Sequence, residues 1–257
     1  MTPRLEVLED RCLPSVTSTV PAASDLPPVI AAANYFLSTL PKGYPTVVFV
    51  GDSISWEYIY GTGSEVWNTY MAPLGMANYG IFGQTTQSLL YQLSLGQLAG
   101  ISPSVVVLDI GANDLLQGDS PEDTAQGVLA DATTIHQYQP QAQVIVLGVL
   151  PGMQSPTDPY RQEGEETNRL VRQMLEGDPK ATYLDIGSIF VQPDGTISPS
   201  IMFDYLHPTG LGYLELTNVL LPILEQSILP TLSTGPSASS GTPSASVAPS
   251  NVGFTPS

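Results

Sequence analysis

Short apolar runs alternate with longer amphipathic segments across residues 29–230, and both ends of the chain break that rhythm. TVVFV (46–50) is an unbroken β-branched and aromatic run closed by Gly51, the pattern of a strand buried on both faces. Residues 75–79 read as a weaker strand that ends at Gly80. SVVVLDI (104–110) and QVIVLGV (143–149) are strong strands, and ATYLDI (181–186) is a fifth. Helical periodicity fills the gaps at 87–95, 121–138, 160–176 and 209–228. The caps agree with that reading. Thr85 or Thr86 can cap the first helix, and Gly177 ends the third. Ser120-Pro121-Glu122-Asp123 gives the second an N-cap, a proline at its first position and early acidic residues.

Buried strands separated by helices imply an α/β fold with a parallel sheet covered on both faces. Right-handed crossovers then predict a three-layer, doubly wound, five-stranded sheet in the order 2-1-3-4-5. Ligands of such sheets sit beyond the carboxyl ends of the strands, at the switch point between strands 1 and 3. The chemistry is therefore expected just after Val50, Tyr79 and Ile110.

The ends read differently. Residues 1–28 hold five prolines and no sustained periodicity, which predicts a flexible or loosely docked arm. Residues 231–257 are rich in Ser, Thr, Pro, Gly and Ala and carry no charge, so the tail is expected to be disordered. The folded domain is placed at 29–230.

Composition narrows the function classes. Of 257 residues only 7 are Lys or Arg against 24 Asp or Glu, a formal net charge of −17. Binding to nucleic acid or an anionic membrane by charge needs clustered cations that this chain lacks. A small neutral or cationic partner fits better. One cysteine, Cys12, and two histidines, His136 and His207, exclude a disulfide framework and any multi-cysteine or His-rich metal site. No run approaches the ~18–20 apolar residues of a membrane span.

Four signals stand at the expected strand ends. Gly51-Asp52-Ser53-Ile54 puts a hydroxyl at a strand-to-helix turn, where a helix N-terminus favours developing negative charge; a capping serine would look the same. Gly80-Ile81-Phe82-Gly83-Gln84-Thr85-Thr86 places two glycines three apart, which lets a backbone N–H approach a ligand without an intervening Cβ. Gly111-Ala112-Asn113-Asp114 offers an amide donor at Asn113, with Asp114 as a cap or brace of the loop. Asp204-Tyr205-Leu206-His207-Pro208 sets a carboxylate three residues before a loop histidine, able to take the Nδ1–H and leave Nε2 as base. Together they supply every role of acyl transfer. His136, by contrast, has no such context and is expected at the surface, while Trp56, Tyr58 and Tyr60 either line the leaving-group side or pack a loop.

The blocks GDSI, GIFGQTT, GAND and DYLH, in this order, resemble the SGNH (GDSL) hydrolase superfamily. Within it the chain is similar to the catalytic subunits of platelet-activating-factor acetylhydrolase. NYGIFGQTTQSLLYQL, VVVLDIGANDLL and MFDYLHPTGLGY carry that likeness over roughly residues 29–229. The resemblance implies a flavodoxin-like fold and ester hydrolysis without metal or other cofactor. Ser53 is then the nucleophile, His207 the base and Asp204 its orienter; the oxyanion hole is the N–H of Ser53, the N–H of Gly83 and the side chain of Asn113. The implied reaction is hydrolysis of a short-chain, acetyl-type ester, and the implied partner is a small-molecule ester. The resembled subunits pair, so a homodimer is one expectation. The alternative is a non-catalytic surface or carbohydrate-binding module that retains the fold. LEDRCLPS (8–15) resembles an N-terminal segment of certain bacterial exported proteins, which leaves export or the cell surface as one expectation and the cytoplasm as the other. An ordinary signal peptide is not expected, because charges at Arg4, Glu6, Glu9, Asp10 and Arg11 leave no apolar core.

Overall fold

A computed structural model describes residues 16–24, 30 and 45–233. Five strands, β1 Val47–Gly51, β2 Ala77–Asn78, β3 Val105–Asp109, β4 Gln143–Leu147 and β5 Ala181–Leu184, form one sheet. All neighbours are parallel and the order is β2-β1-β3-β4-β5, as expected from the sequence. The helices are α1 Ser53–Tyr60, α2 Thr86–Ser94, α3 Ala112–Leu116, α4 Pro121–Tyr138, α5 Pro159–Met174 and α6 Gly210–Ser233.

Alternation along the strands divides the core into two layers. Val47, Phe49, Val105, Val107, Ile145 and Leu147 face α1 and the Leu216, Leu220 and Leu224 stripe of α6. Val48, Val50, Val106, Leu108, Val144 and Val146 face α2, α4 and α5 through Leu89, Leu93, Val128, Ile135 and Val171. Every residue of β1 and β3 is buried, which is why those segments contain no polar alternation. β5 differs. It is the sheet edge, and Thr182 is exposed while Tyr183 and Leu184 are half-buried.

Several boundaries move. Strand 2 shrinks to two residues, and α1 begins immediately after the first strand, where its short length hid the periodicity. Residues 67–74, a π-turn followed by a 3-10 turn, bury Trp67 and Met71 against Phe49 and Tyr58. Residues 16–24 of the N-terminal arm are docked, with a 3-10 turn at Val16–Thr19 packed on α2 and α4. Ser18 is buried there, its hydroxyl donating to Asp119 Oδ2 at 3.0 Å, and Ala22 N–H donates to Gln87 O at 3.2 Å. At the other end α6 continues to Ser233, three residues into the segment read as tail. Cys12 and residues 234–257 lie outside the described residues.

Candidate active site

Register delivers the first site residue. Gly51 pairs with Asp109 at the carboxyl ends of β1 and β3, and Asp52 N–H donates to Asp109 O at 3.1 Å. The next residue, Ser53, opens α1, so its own N–H has no intrahelical acceptor. Asp52 is the N-cap, its Oδ1 accepting from Ile54 N–H at 2.9 Å. Helix α1 is held from below: Tyr213 Oη on α6 donates to Ile54 O at 2.6 Å, and Tyr58 and Tyr213 stack at 4.7 Å. Tyr58 is thus a core residue rather than part of the mouth.

The loop after β2 is tied to the same strand end. Ile81 N–H donates to Gly51 O at 2.9 Å, Asn78 Nδ2 donates to Ser55 O at 2.7 Å, and Gly80 N–H donates to Asn78 Oδ1 at 2.9 Å. A Cβ on Gly80 would lie 2.6 Å from Ser55 Cβ, so only glycine lets this loop approach α1 so closely. Gly83 has φ +76°, the left-handed region that glycine enters without strain. Thr85 caps α2 through a capping box with Ser88.

The loop after β3 locks onto it. Asn113 Nδ2 donates to Gln84 O at 3.0 Å, leaving the second amide proton for another acceptor. Asp114 braces rather than reacts, as its sequence context suggests: its carboxylate accepts the Thr86 N–H at 3.1 Å and the Thr86 hydroxyl at 2.5 Å. Burial pushes the Asp114 carboxyl up to about 6, against the lowering effect of the Thr86 bonds.

His207 arrives from the far end of the chain. Its Nε2 lies 2.9 Å from Ser53 Oγ, and its Nδ1 lies 2.7 Å from Asp204 Oδ2. Asp204 Oδ1 also accepts the N–H groups of Leu206 (3.0 Å) and His207 (2.7 Å). Burial works to raise Asp204, but these bonds outweigh it and hold the carboxyl below its ordinary value. A carboxylate kept ionised beside Nδ1 fixes the tautomer that presents Nε2 to the serine.

The structure therefore brings Ser53, His207 and Asp204 into one line, with Gly83 and Asn113 on two loops joined beside it. Of the rim, the sequence suggests Trp56 and Tyr60 but not Phe82 or Phe203. The Phe82 and Phe203 rings run nearly parallel to the His207 ring, with centroids 6.1 and 5.9 Å away, and Trp56 extends the platform edge-on from Phe82. Phe82 and Phe203 are about half exposed, and their positions directly beside Gly83 and Asp204 are the sequence signal that could have marked them. His136 departs from its expected place: it is half-buried on α4 and its Nε2 has no partner among the described residues. A cavity of about 610 Å³ lies away from Ser53, between the loop after β4 and α5, lined by Val149, Asn168, Arg161, Arg172 and Asp185.

Residues 49–214 match the model of the GDSL-like lipase/acylhydrolase family. The chain is 40% identical over 180 residues to platelet-activating factor acetylhydrolase IB subunit alpha1 of Bos taurus, covering 70% of this chain and 75% of that one. Among solved structures, a GDSL-like lipase from Bacteroides thetaiotaomicron superimposes with a TM-score of 0.63 at 22% identity, over 76% of this chain and 99% of that one. A Geobacillus acetyl-xylooligosaccharide esterase variant gives 0.53 at 19% identity, over 69% and 93%.

Proposed function

The chain belongs to the GDSL-like lipase/acylhydrolase family of ester hydrolases, and on that premise we propose that it is a serine esterase for short-chain, acetyl-type carboxylic esters. The observation that carries this reading is the continuous line from Ser53 Oγ to His207 Nε2 (2.9 Å) and from His207 Nδ1 to Asp204 Oδ2 (2.7 Å). Ser53 Oγ attacks the ester carbonyl while His207 Nε2 takes its proton. Negative charge then builds on the former carbonyl oxygen. The N–H groups of Ser53 and Gly83 and the free amide proton of Asn113 are the donors assigned to it, and the latter two need no reorganisation because Asp114 and Thr86 hold their loops together. The imidazolium returns the proton to the departing alkoxide, leaving an acyl-Ser53 ester. Water, deprotonated by the same histidine, hydrolyses it.

The name of the 40%-identical relative supports acetyl as the acyl group. For the alcohol, the Trp56, Tyr60 and Phe82 cluster provides an apolar platform, and the net charge of −17 disfavours an alcohol that carries negatively charged groups of its own. The test is turnover of p-nitrophenyl acetate together with a serine-directed phosphonate. Loss of turnover with one equivalent of label on the Ser53 peptide is the expected result. A protein that turns over no small ester and takes no label returns the non-catalytic binding module.

A further inference from the structure

Arg161, in the first turn of α5, is the one buried cation among the described residues, and it pairs with none of their carboxylates at ion-pair distance. Its guanidinium is spent on backbone oxygens instead: Nε donates to Gly152 O at 2.9 Å, one terminal nitrogen to Met153 O at 2.8 Å and the other to Gly195 O at 3.3 Å. Glu165 and Asp158 act on it only at longer range. Desolvating a cation without a contact partner is costly, so a gain in stability alone is a poor account of it.

The oxygens it gathers lead to the histidine. Met153 has φ +63° and Tyr205 has φ +64°, and they are the two described non-glycine residues in the left-handed region. A single hydrogen bond joins them, Met153 N–H to Tyr205 O at 2.7 Å. Bulky side chains disfavour that backbone, and it persists only where neighbours over-determine it. Met153 is over-determined from both sides, by Arg161 at its carbonyl and by Tyr205 at its amide. Tyr205 in turn follows Asp204 directly and stands two residues before His207.

We infer that Arg161 is a positioning residue: its guanidinium fork clamps the loop 152–153, which through Met153 and Tyr205 sets Asp204 and His207 against Ser53. It touches no reacting atom. The inference rests on the proposed Ser53–His207–Asp204 mechanism and adds to it the element that aligns it. A planar fork with several fixed donors can span carbonyls from two loops, whereas a lysine brings one point of charge. Displacement of a reacting group by about 1 Å is enough to cost on the order of a hundredfold in rate.

The test uses the full chain with Arg161→Met, which fills the space, and Arg161→Lys, which keeps the charge. Rates are taken per serine titratable by the phosphonate, so unfolded protein is not counted. The low-field proton resonance of the His207 Nδ1–H is followed in parallel; with only two histidines, His207→Ala assigns it. The expected result for Arg161→Met is a kcat ten- to a hundredfold lower with KM within twofold, and a broadened or lost resonance. Arg161→Lys should shift the same way and less far, and it carries the test if the methionine variant fails to fold. Wild-type kcat and an intact resonance in either folded variant overturn the inference. If Ser53→Ala also keeps its activity, the mechanism fails; if Ser53→Ala is dead while the Arg161 variants are normal, only this inference fails.

Discussion

Asp114 accepts both the N–H and the hydroxyl of Thr86, although 28 residues separate them. This joins the loop carrying Gly83 to the loop carrying Asn113, and the Asn113–Gln84 bond adds a second tie between them. Two of the donors proposed for the oxyanion thus belong to one rigid unit whose rivet is a buried carboxylate.

That rivet makes stability depend on pH. Asp114 and Asp109 are both pushed up to about 6, chiefly by burial, whereas in the unfolded chain they titrate near the ordinary carboxylate value of ~4. The folded state therefore holds protons that the unfolded state has lost. For Asp114 the contribution, of the order of 2–3 kcal/mol, is fully present below about pH 4 and is lost as pH rises through about 6, and Asp109 acts in the same direction. The urea midpoint should rise as pH is lowered from 7 to 5. Relief of the net negative charge acts in the same direction, so the discriminating measurement is Asp114→Asn, which should flatten part of the slope. An unchanged slope in that variant contradicts this assignment.

Ser53→Ala and His207→Ala should each remove nearly all esterase turnover while leaving the thermal midpoint within a few degrees. Each side chain ends at the open edge of the sheet and supports no core packing. Because the groups act as a unit, the double variant should be scarcely slower than either single one. Strictly multiplicative losses, measured on the same ester, argue against a shared proton path.

Asn113→Ala tests the oxyanion assignment. The amide proton not given to Gln84 is assigned to charge that exists only in the transition state, so kcat should fall by roughly 10²–10³ with little change in KM. A variant changed in KM alone makes Asn113 a ground-state contact.

Gly51→Ala should prevent folding or lower stability by about 3 kcal/mol or more. The added Cβ would sit 2.0 Å from the Asp109 carbonyl oxygen, the same atom that receives the Asp52 N–H. Soluble expression and a denaturation curve decide it, and a variant as stable as the parent refutes the contact.

Acyl length offers a further check. The loops at 151–159 and 187–203 carry no sustained apolar stripe from which to build a lid. Each methylene beyond a short acyl chain then gains little from burial. kcat/KM should fall from acetyl and butyryl esters to those of about eight carbons, with no jump at a lipid–water interface. A preference for palmitoyl esters below micelle-forming concentrations points to a lipase instead.

Strand identity, sheet order and the candidate residues were legible because each rests on local chemistry. The β-branched runs Val47–Val50 and Val105–Leu108 read as doubly buried strands, and such strands with crossover helices admit few topologies. The Asp204–His207 pair was equally readable, since a spacing of three brings a carboxylate to Nδ1 within one turn. The short β2 and the eight-residue α1 blurred because brief elements leave too few positions to show a period. What tertiary structure alone decided lies between residues distant in the chain. The sequence marks Ser53 and His207, yet only packing of α6 under α1 and of the loop at 152–153 against Tyr205 brings their atoms within 2.9 Å. Phe82 reaches the His207 ring from a distant part of the chain, and Arg161 collects carbonyls from two loops. Residue type sets what a side chain can do, and local spacing sets its nearest partners. Contacts across more than a hundred residues depend on how the whole core closes, which no local pattern encodes.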